Sequence, residues 1–343
     1  MHRSFTKQNF PAFIYQIMIS VLQSAIILVT LFIMEIFYFK IASHFNIIDK
    51  PNVRSSHSSI TLRGGGVIFT LGILLWFIFY GCKFPYFFLG LLLITLISFF
   101  DDVLTLNNRI RIVIHFSSVI LMFFQWNLFG LPWYWLIISL VFVIATINAY
   151  NFMDGINGIT GSYSFLCIAT LYYINDTIVN FTNADLLKVV GLSLIVFNFY
   201  NFRKKAKCFA GDVGSVSIAF TLIFLIGQLI LTTHNFGYIL LLLMYGVDTF
   251  TTVCFRKLRK ENIFKAHRSH FYQYLANQSK WNHLVVATLY CALQLVFNLA
   301  FLFLFKDNLI LALLFACLVL VAFLIARFFV EGRTYLLKAH LNS

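Results

Sequence analysis

Residues 133–161 read WYWLIISLVFVIATINAYNFMDGINGITG, an apolar run that passes directly into amides, a carboxylate and three glycines. The apolar part ends near residue 150, and its length is close to the about 20 residues that a helix needs to cross a bilayer. Asn148, Asn151 and Asp154 follow at intervals of three, so a helix would carry them on one face. Polar groups at membrane depth are costly and are commonly functional. We therefore expect this face to point into a helix bundle rather than at lipid, and to form part of a site.

The composition of the whole chain agrees with a membrane protein. Of its 343 residues 61% are hydrophobic, and the mean hydropathy is +0.88, whereas soluble domains hold about 45–50% apolar residues. Because the apolar runs are long and continuous, they predict helices rather than the alternating strands of a barrel. The predicted fold class is all-α, a polytopic integral membrane bundle of about 11 transmembrane helices, in one domain over residues 1–343. The predicted spans are residues 17–39, 66–81, 84–100, 112–130, 133–150, 158–174, 187–202, 214–232, 236–255, 283–305 and 308–330.

Basic residues divide unequally between the two sides of such a bundle. If alternate loops face opposite sides, one side receives 5 of the 25 Lys and Arg residues and the other receives 20. Cytoplasmic loops of membrane proteins carry the excess of positive charge. The sequence thus predicts an outside N-terminus, an inside C-terminus and contact of the basic loops with membrane lipids. The net charge of +13 does not indicate nucleic-acid binding, because no soluble basic domain is predicted to carry it.

The predicted cytoplasmic loops hold most of the residues suited to chemistry. In the first loop, Arg54 and Arg63 can bind phosphate, and the RGGG sequence lets the backbone approach a ligand closely. An ordinary basic, turn-rich loop is the alternative. We assign the catalytic functions to the loops at residues 44–65, 101–111, 148–160, 203–215 and 256–282.

The second loop begins with two adjacent carboxylates, Asp101 and Asp102. Like charges so close repel each other, so a cation or a proton must compensate them. Arg109 and Arg111 follow in the same loop and can hold anionic groups. The alternative is a pair of N-cap residues for the next helix.

Hard oxygen ligands recur in the third and fourth loops. The row that ends in Asp154 and the carboxylate of Asp212, at the start of a predicted helix, suit Mg²⁺, which takes few protein ligands together with substrate phosphates. The alternatives are hydrogen bonding between helices for the row and a plain N-cap for Asp212. Phe209 precedes Asp212 by three residues and is a candidate for stacking on a base.

The fifth loop is the longest and the most basic of the set. His267, Arg268 and His270 lie close together in it and indicate contact with a pyrophosphate or a sugar. A zinc site would need further Cys or His ligands that the sequence does not offer nearby. An amphipathic loop that faces lipid is the alternative.

The chain carries, in this order, the motifs RSSH, RGGG, DD, NxxNxxDGxxG, GDxGS and HRxH. This series resembles the polyprenyl-phosphate N-acetylhexosamine-1-phosphate transferases over about residues 44–275, and is closer to the O-antigen-initiating branch than to the peptidoglycan branch. The resemblance implies transfer of a sugar 1-phosphate from a UDP-N-acetylhexosamine to undecaprenyl phosphate, with release of UMP. This reaction initiates a cell-surface glycan such as the O-antigen of lipopolysaccharide. The implied cofactor is Mg²⁺, with Mn²⁺ as a substitute, and the implied location is the cytoplasmic face of the bacterial inner membrane.

The resemblance also implies roles for individual residues. Asp101 would serve the carrier phosphate beside Asp102, while Asn151 and Asp212 would hold the metal. Asn157 and Phe209 would contact the uridine. The catalytic residues are then Asp101, Asp102, Asp154, Asp212, His267 and His270, and the substrate-binding residues are Arg54, Arg63, Arg109, Arg111, Asn148, Asn157, Phe209 and Arg268.

Three alternatives stay open. The first alternative is a peptidoglycan-type phospho-N-acetylmuramoyl-pentapeptide transferase, the second is a cation-coupled membrane transporter, and the third is a non-enzymatic scaffold for a glycan complex. Within the transferase class, direct attack of the carrier phosphate on the β-phosphorus is favoured over a covalent intermediate on Asp212. The sequence does not select the sugar, and it leaves a homodimer open.

Overall fold

The computed structural model describes residues 10–49, 60–104, 106–262 and 267–338, with side chains from residue 18 onward. Helices dominate this part of the chain. Two strands of two residues each, Ile48–Asp49 and Thr61–Leu62, pair antiparallel and are called the hairpin below. The helices are α1 (Phe10–His44), α2 (Val67–Phe79), α3 (Pro85–Leu104), α4 (Asn108–Gln125), α5 (Trp133–Met153), α6 (Ile159–Thr177), α7 (Ala184–Asn201), α8 (Gly211–Thr233), α9 (Leu243–Leu258), α10 (Phe271–Asn277), α11 (His283–Ala300) and α12 (Leu309–Leu337).

The all-α membrane fold predicted from the sequence is confirmed. Each predicted span coincides with a helical segment, and among the described residues eight segments are long and apolar enough to cross a membrane. α2, with 13 residues, is too short to count among the eight. The protein is therefore a multi-pass membrane protein. The short helix α10 and the hairpin are additions that the apolar pattern did not predict.

One apolar segment changes its helix type within the bundle. The 3-10 turn Phe236–Leu242 leads into α9, and such irregular backbone needs protein partners at membrane depth. Gln294 of α11 supplies them, since its Nε2 donates to Leu240 O at 3.0 Å and its Oε1 accepts from Met244 N at 2.8 Å. One buried amide thus satisfies both sides of the break.

Helix α8 forms the centre of the bundle. It contacts α2, α3, α5 and α6, and 83% of its most apolar window is buried, whereas α1 and α12 expose most of their apolar surface. Small residues along the first turns of α8 allow neighbouring backbones to approach closely, as is common between membrane helices. The start of α8 therefore lies where several loops meet.

The helix ends alternate between two opposite ends of the bundle. At one end, Trp76 Nε1 donates to Asn183 Oδ1 and Asn235 Nδ2 donates to Lys306 O. At the other end lie the described parts of the loops that the sequence predicted to be catalytic. The described polar motifs are thus gathered at one end of the bundle, where α8 begins.

Candidate active site

The glycines of the RGGG motif bring two chain segments together. Gly65 N donates to Phe209 O at 2.9 Å, and Gly66 N donates to Ala210 O at 3.1 Å. A Cβ atom on Gly66 would lie 2.3 Å from the Cα atom of Gly214, so only glycine fits there. These glycines therefore permit a close approach to the start of α8, a contact that the sequence did not predict.

Arg63, which was expected to bind phosphate, joins two carboxylates. Its Nη2 lies 2.7 Å from Asp102 Oδ1 and 3.7 Å from Asp212 Oδ1. Its carbonyl oxygen accepts a hydrogen bond of 2.6 Å from the Tyr38 hydroxyl. Because 36% of the Arg63 side chain is exposed, the guanidinium retains a face for an anion.

Asp102 caps the N-terminus of α8 from another helix. Its Oδ1 accepts from Asp212 N at 3.2 Å and its Oδ2 accepts from Val213 N at 3.1 Å, while the side chain is buried. The first turn of a helix leaves backbone N–H groups without intrahelical partners, and a carboxylate there is favoured. The capped helix is α8 rather than α4, whose cap is Asn107, with its side chain accepting from Arg109 N. The expected catalytic residue Asp102 thus positions the start of α8.

Asp101 belongs to a second ion pair on the same end of the bundle. Its Oδ2 lies 2.6 Å from Arg111 Nη1, and its Oδ1 accepts from Leu106 N at 2.9 Å. Arg111 Nη2 in turn lies 3.5 Å from Asp212 Oδ2. Arg109 is exposed and forms no ion pair with a residue that the structure describes. The two adjacent carboxylates therefore point to different arginines.

Asp212 is the point at which these pairs converge. One of its carboxylate oxygens faces Arg63 and the other faces Arg111. Each of these arginines also binds one member of the Asp101–Asp102 pair. Three carboxyl groups thus meet two guanidinium groups, so the acidic groups of the cluster outnumber the basic ones by one. Asp212 stays 23% exposed and is open to a ligand.

The polar row at the end of α5 is only partly buried. Asn151 Oδ1 accepts from Ser215 Oγ at 2.6 Å, which holds the end of α5 against the first turns of α8. Asp154 is half-buried, and burial raises its pKa to about 6, with the charge of Asp212 adding to the effect. Asn148 is exposed, so the expected burial of this face does not extend to it.

Asn157, for which the resemblance implied a uridine contact, holds the loop after α7. Its Nδ2 donates to Arg203 O at 3.0 Å and to Lys204 O at 3.2 Å, and the side chain is buried. Beside it, Gly158 N donates to Asn201 Oδ1 at 2.8 Å, in the left-handed conformation that glycine favours. These bonds tie the α5–α6 turn to the loop that leads into α8.

The two histidines of the HRSH segment lie in different environments. His267 is half-buried with its ring centroid 5.7 Å from that of Phe152, and burial lowers its pKa to about 3, so the imidazole is neutral. His270 is 1% exposed, with Nδ1 3.4 Å from Asp248 Oδ1. The expectation that His270 lines the sugar region does not fit this burial. His267 remains accessible.

Asp248 of α9 is a functional support that the sequence interpretation did not assign. It accepts from Phe271 N at 3.0 Å, from Tyr272 N at 3.4 Å and from the Tyr290 hydroxyl at 2.6 Å. It therefore caps α10 across the bundle, in the same way that Asp102 caps α8. A carboxylate within an apolar helix was the signal that could have identified it.

Two residues of α1 were also missed. Tyr38 holds the Arg63 carbonyl, and Glu35, one turn earlier, is fully buried with Oε1 3.9 Å from Cys208 Sγ. Their spacing of three puts both on one face of α1, directed at the segments that carry the site. A polar pair on one face of an apolar helix was the available signal.

The remaining expected residues lie around this centre or beyond the described chain. Phe209 is half-buried, and its backbone N donates to Leu62 O at 2.8 Å. Arg268 is half-buried next to α10. Arg54 lies outside the described residues.

Residues 84–230 match the sequence profile of glycosyl transferase family 4, and this stretch contains the Asp101–Asp102 pair, Asn151 and Asp212. This part of the chain, 147 of its 343 residues, is similar to glycosyl transferase family 4. The resemblance noted from the motifs is therefore confirmed, and the protein is an enzyme of the transferase type.

Curated proteins with similar sequences carry names from the same group. A probable undecaprenyl-phosphate N-acetylglucosaminyl 1-phosphate transferase of Bacillus subtilis (strain 168) is 24% identical, over 69% of this chain and 71% of the relative. An undecaprenyl-phosphate alpha-N-acetylglucosaminyl 1-phosphate transferase of Escherichia coli (strain K12) is 27% identical, over 64% of this chain and 66% of the relative. The corresponding Yersinia pestis enzyme is 27% identical over 55% and 57%, respectively.

Proposed function

We propose that this protein transfers N-acetylhexosamine 1-phosphate from a UDP-sugar to undecaprenyl phosphate and releases UMP. The names of its relatives support the reaction class, and the geometry around Asp212 supports the chemistry. The single observation that carries the proposal is that two arginines converge on the partly exposed carboxylate of Asp212, in the first turn of α8. Such an arrangement suits a reaction between two anionic substrates, whose mutual repulsion is the main obstacle.

We propose Mg²⁺ as the cofactor, with Asp212 and Asn151 as the residues that would hold it. No group of three or more His, Cys, Asp or Glu side chains in the described part of the chain could hold a metal ion. Mg²⁺ requires fewer, since it binds one or two carboxylates and completes its shell with substrate phosphates and water. Asp212 lies in the first turn of α8, Asn151 contacts the same helix through Ser215, and the local excess of one carboxyl group favours a cation. When bound, the ion supplies charge neutralisation at the β-phosphate.

Four residues of the site have different roles in the proposed reaction. Arg63 and Arg111 neutralise the phosphates, because both side chains are partly exposed and face the same carboxylate. Asp102 keeps the first turn of α8 in place, and its contacts leave it no free role as a base. Asp101 is held against Arg111 and is the residue placed to receive the acceptor phosphate's proton. At neutral pH that phosphate is already mostly dianionic, with a second pKa of about 6, so the base contributes modestly.

The positive charge distribution supports a cytoplasmic location for this site in a bacterial inner membrane. The side that carries the site receives 20 of the 25 Lys and Arg residues. The N-terminus is then outside and the C-terminus inside. Accessibility labelling of Cys82, which is exposed at the opposite end of α2, tests this orientation, since labelling from the cytoplasmic side alone would reverse it.

The reaction is tested with the purified full chain, undecaprenyl phosphate, Mg²⁺ and a panel of UDP-sugars, including the peptidoglycan pentapeptide donor. We expect release of UMP and a lipid-linked product that both require the lipid phosphate and the metal. Asp212→Asn should lower turnover about 100-fold or more. The matched control is Asp176→Asn, an exposed carboxylate at the opposite end of the bundle, which should retain activity.

Each competing function gives a different result in this assay. A transporter or a scaffold releases no UMP, and a peptidoglycan-type enzyme uses the pentapeptide donor alone. If UDP-sugar alone, without the acceptor, phosphorylates the protein, the mechanism passes through a covalent intermediate on Asp212 and not through direct attack.

A further inference from the structure

A basic surface lies beside the candidate site, at the ends of α1 and α7. It consists of Lys40 near the end of α1 and of Arg203, Lys204, Lys205 and Lys207 in the loop after α7, and is named here the α1/α7 basic surface. The four lysines are exposed. None of them forms an ion pair with a carboxylate in the described ranges. This concentration of positive charge is therefore available to an external anion.

The loop that carries most of this charge has a fixed backbone. Asn157 donates to the carbonyl oxygens of Arg203 and Lys204, and Lys207 N donates to Tyr200 O at 2.9 Å. The carbonyl groups thus point into the protein, and the lysine side chains extend outward. A surface with a fixed backbone loses less conformational freedom when it binds a partner.

Aromatic rings lie beneath the cations on both helices. The Lys40 amino group lies 5.7 Å from the Phe37 ring centroid, and the Arg203 guanidinium lies 4.5 Å from that of Phe199. Both rings are more than half exposed. In both segments the ring precedes the cation by three or four residues, so the rings lie nearer to the bundle centre and the cations nearer to its end.

The two helices share this order because they are packed together. Phe39 and Tyr200 meet edge to face with ring centroids 4.8 Å apart, which sets the two cation positions at a similar level. Exposed aromatic rings below and extended basic side chains above are the arrangement found where a membrane protein passes from acyl chains to headgroups. The α1/α7 basic surface has the order of groups expected for a surface at the headgroup level of one leaflet.

We propose that the α1/α7 basic surface binds the headgroups of acidic phospholipids in the leaflet that the candidate site faces. The chemistry recognised is a phosphate diester with one negative charge, held by lysine side chains above an aromatic layer. Charge complementarity supports this occupant, because five basic residues lie together without a paired carboxylate among the described residues. The bound lipid holds the 203–208 loop, and with it the start of α8, at a defined depth.

The test measures lipid binding to the full chain purified in detergent, with native mass spectrometry as the readout. The probes are phosphatidylglycerol, phosphatidylcholine and a short-chain polyprenyl phosphate. We expect the wild type to retain phosphatidylglycerol in preference to phosphatidylcholine. The double variant K204Q/K205Q should lose this preference, with phosphatidylglycerol affinity lower by about fivefold or more. Its affinity for polyprenyl phosphate should stay within about twofold of wild type, since that headgroup is proposed to bind beside Asp101 and Arg111.

The matched control is R333Q/K338Q, which removes the same charge from exposed positions at the end of α12. It should leave phosphatidylglycerol binding unchanged, and thermal unfolding of both variants shows that they are folded. Unchanged phosphatidylglycerol binding in K204Q/K205Q would contradict the proposal. So would weaker binding of polyprenyl phosphate, alone or together with phosphatidylglycerol, because the surface would then be an acceptor site or a general anion site. Catalytic activity is not part of the measurement, so the result is independent of the proposed reaction.

Discussion

At the scale of single residues, the candidate site consists of side chains that hold one another before any substrate arrives. Arg63 and Arg111 each connect Asp212 to a different member of the adjacent carboxylate pair. The DD motif therefore supplies two unlike residues, of which Asp102 is a buried cap and Asp101 stays beside an arginine. The sequence motif predicted that both carboxylates belong to the site. Only the packing of α3 against α8 shows that Asp102 is a cap and that Asp101 pairs with Arg111.

Tyr38 is expected to influence catalysis through Arg63 alone. Tyr38→Phe removes the hydrogen bond to the Arg63 carbonyl, a loss of about 1 kcal/mol, and loosens the guanidinium between its two carboxylates. We expect kcat/KM in the UMP-release assay to fall about threefold to tenfold. In an Arg63→Ala background the same change should have no further effect, whereas a general structural role would persist there. Tyr134→Phe, exposed at the opposite end, is the control.

Asp154 should make stability depend on pH. Its pKa is about 6 in the folded protein and 3.8 as the ordinary value, so the folded state binds the proton more tightly. Stability is therefore lost as pH rises from about 4 to about 6, by at most about 3 kcal/mol. Asp154→Asn carries no charge at any pH, so it should raise the unfolding midpoint at pH 7.5 and change it little at pH 4.5. An equal shift at both values would contradict the assignment. Asp176→Asn serves as the exposed control.

At the scale of elements, two helices that start near the site are capped by carboxylates from other helices. Asp102 of α3 caps α8, and Asp248 of α9 caps α10. Neither cap is close in sequence to the helix that it serves, so local capping rules could not identify it. The RGGG motif has a related role, because its glycines let the start of α2 touch the start of α8.

Gly66→Ala tests this close approach between α2 and α8. The added Cβ would meet the backbone of Gly214, which cannot move aside as a flexible side chain can. Such overpacking costs about 1–3 kcal/mol, so we expect a lower thermal midpoint and loss of most activity. Gly246→Ala is the matched control, since an added Cβ meets nothing within 4 Å and alanine favours the helix. A Gly66→Ala variant as stable and active as wild type would show that the two helices need not touch.

At the scale of the whole molecule, a buried polar network connects the last helix to the site. Arg327 of α12 pairs with Glu331, and its Nη2 donates to Ser269 O at 2.9 Å. Its Nη1 donates to Thr251 and Thr252 of α9. Because Ser269 lies between the two histidines, α12 positions the HRSH segment although no sequence motif lies in that helix.

Arg327→Met should destabilise the bundle and displace this segment. Removal of one partner leaves Glu331 as an uncompensated buried group, which costs about 3–5 kcal/mol. We expect a clearly lower unfolding midpoint in detergent together with faster proteolysis between α9 and α10. Arg333→Met removes an exposed charge from the same helix and should change stability by less than about 0.5 kcal/mol. Equal effects of the two changes would contradict the network.

The sequence by itself determined the membrane class, the positions of the helices and the end of the bundle that carries the chemistry. These properties follow from local hydropathy, and each apolar run has to form its own backbone hydrogen bonds in lipid. The tertiary structure decided which carboxylate faces which arginine, that Asn157 and His270 serve as buried supports, and that α1 and α12 hold the site from outside the motifs. Apart from the Asp101–Arg111 pair, these contacts join residues more than 20 positions apart, and their partners depend on how helices pack, which hydropathy does not encode.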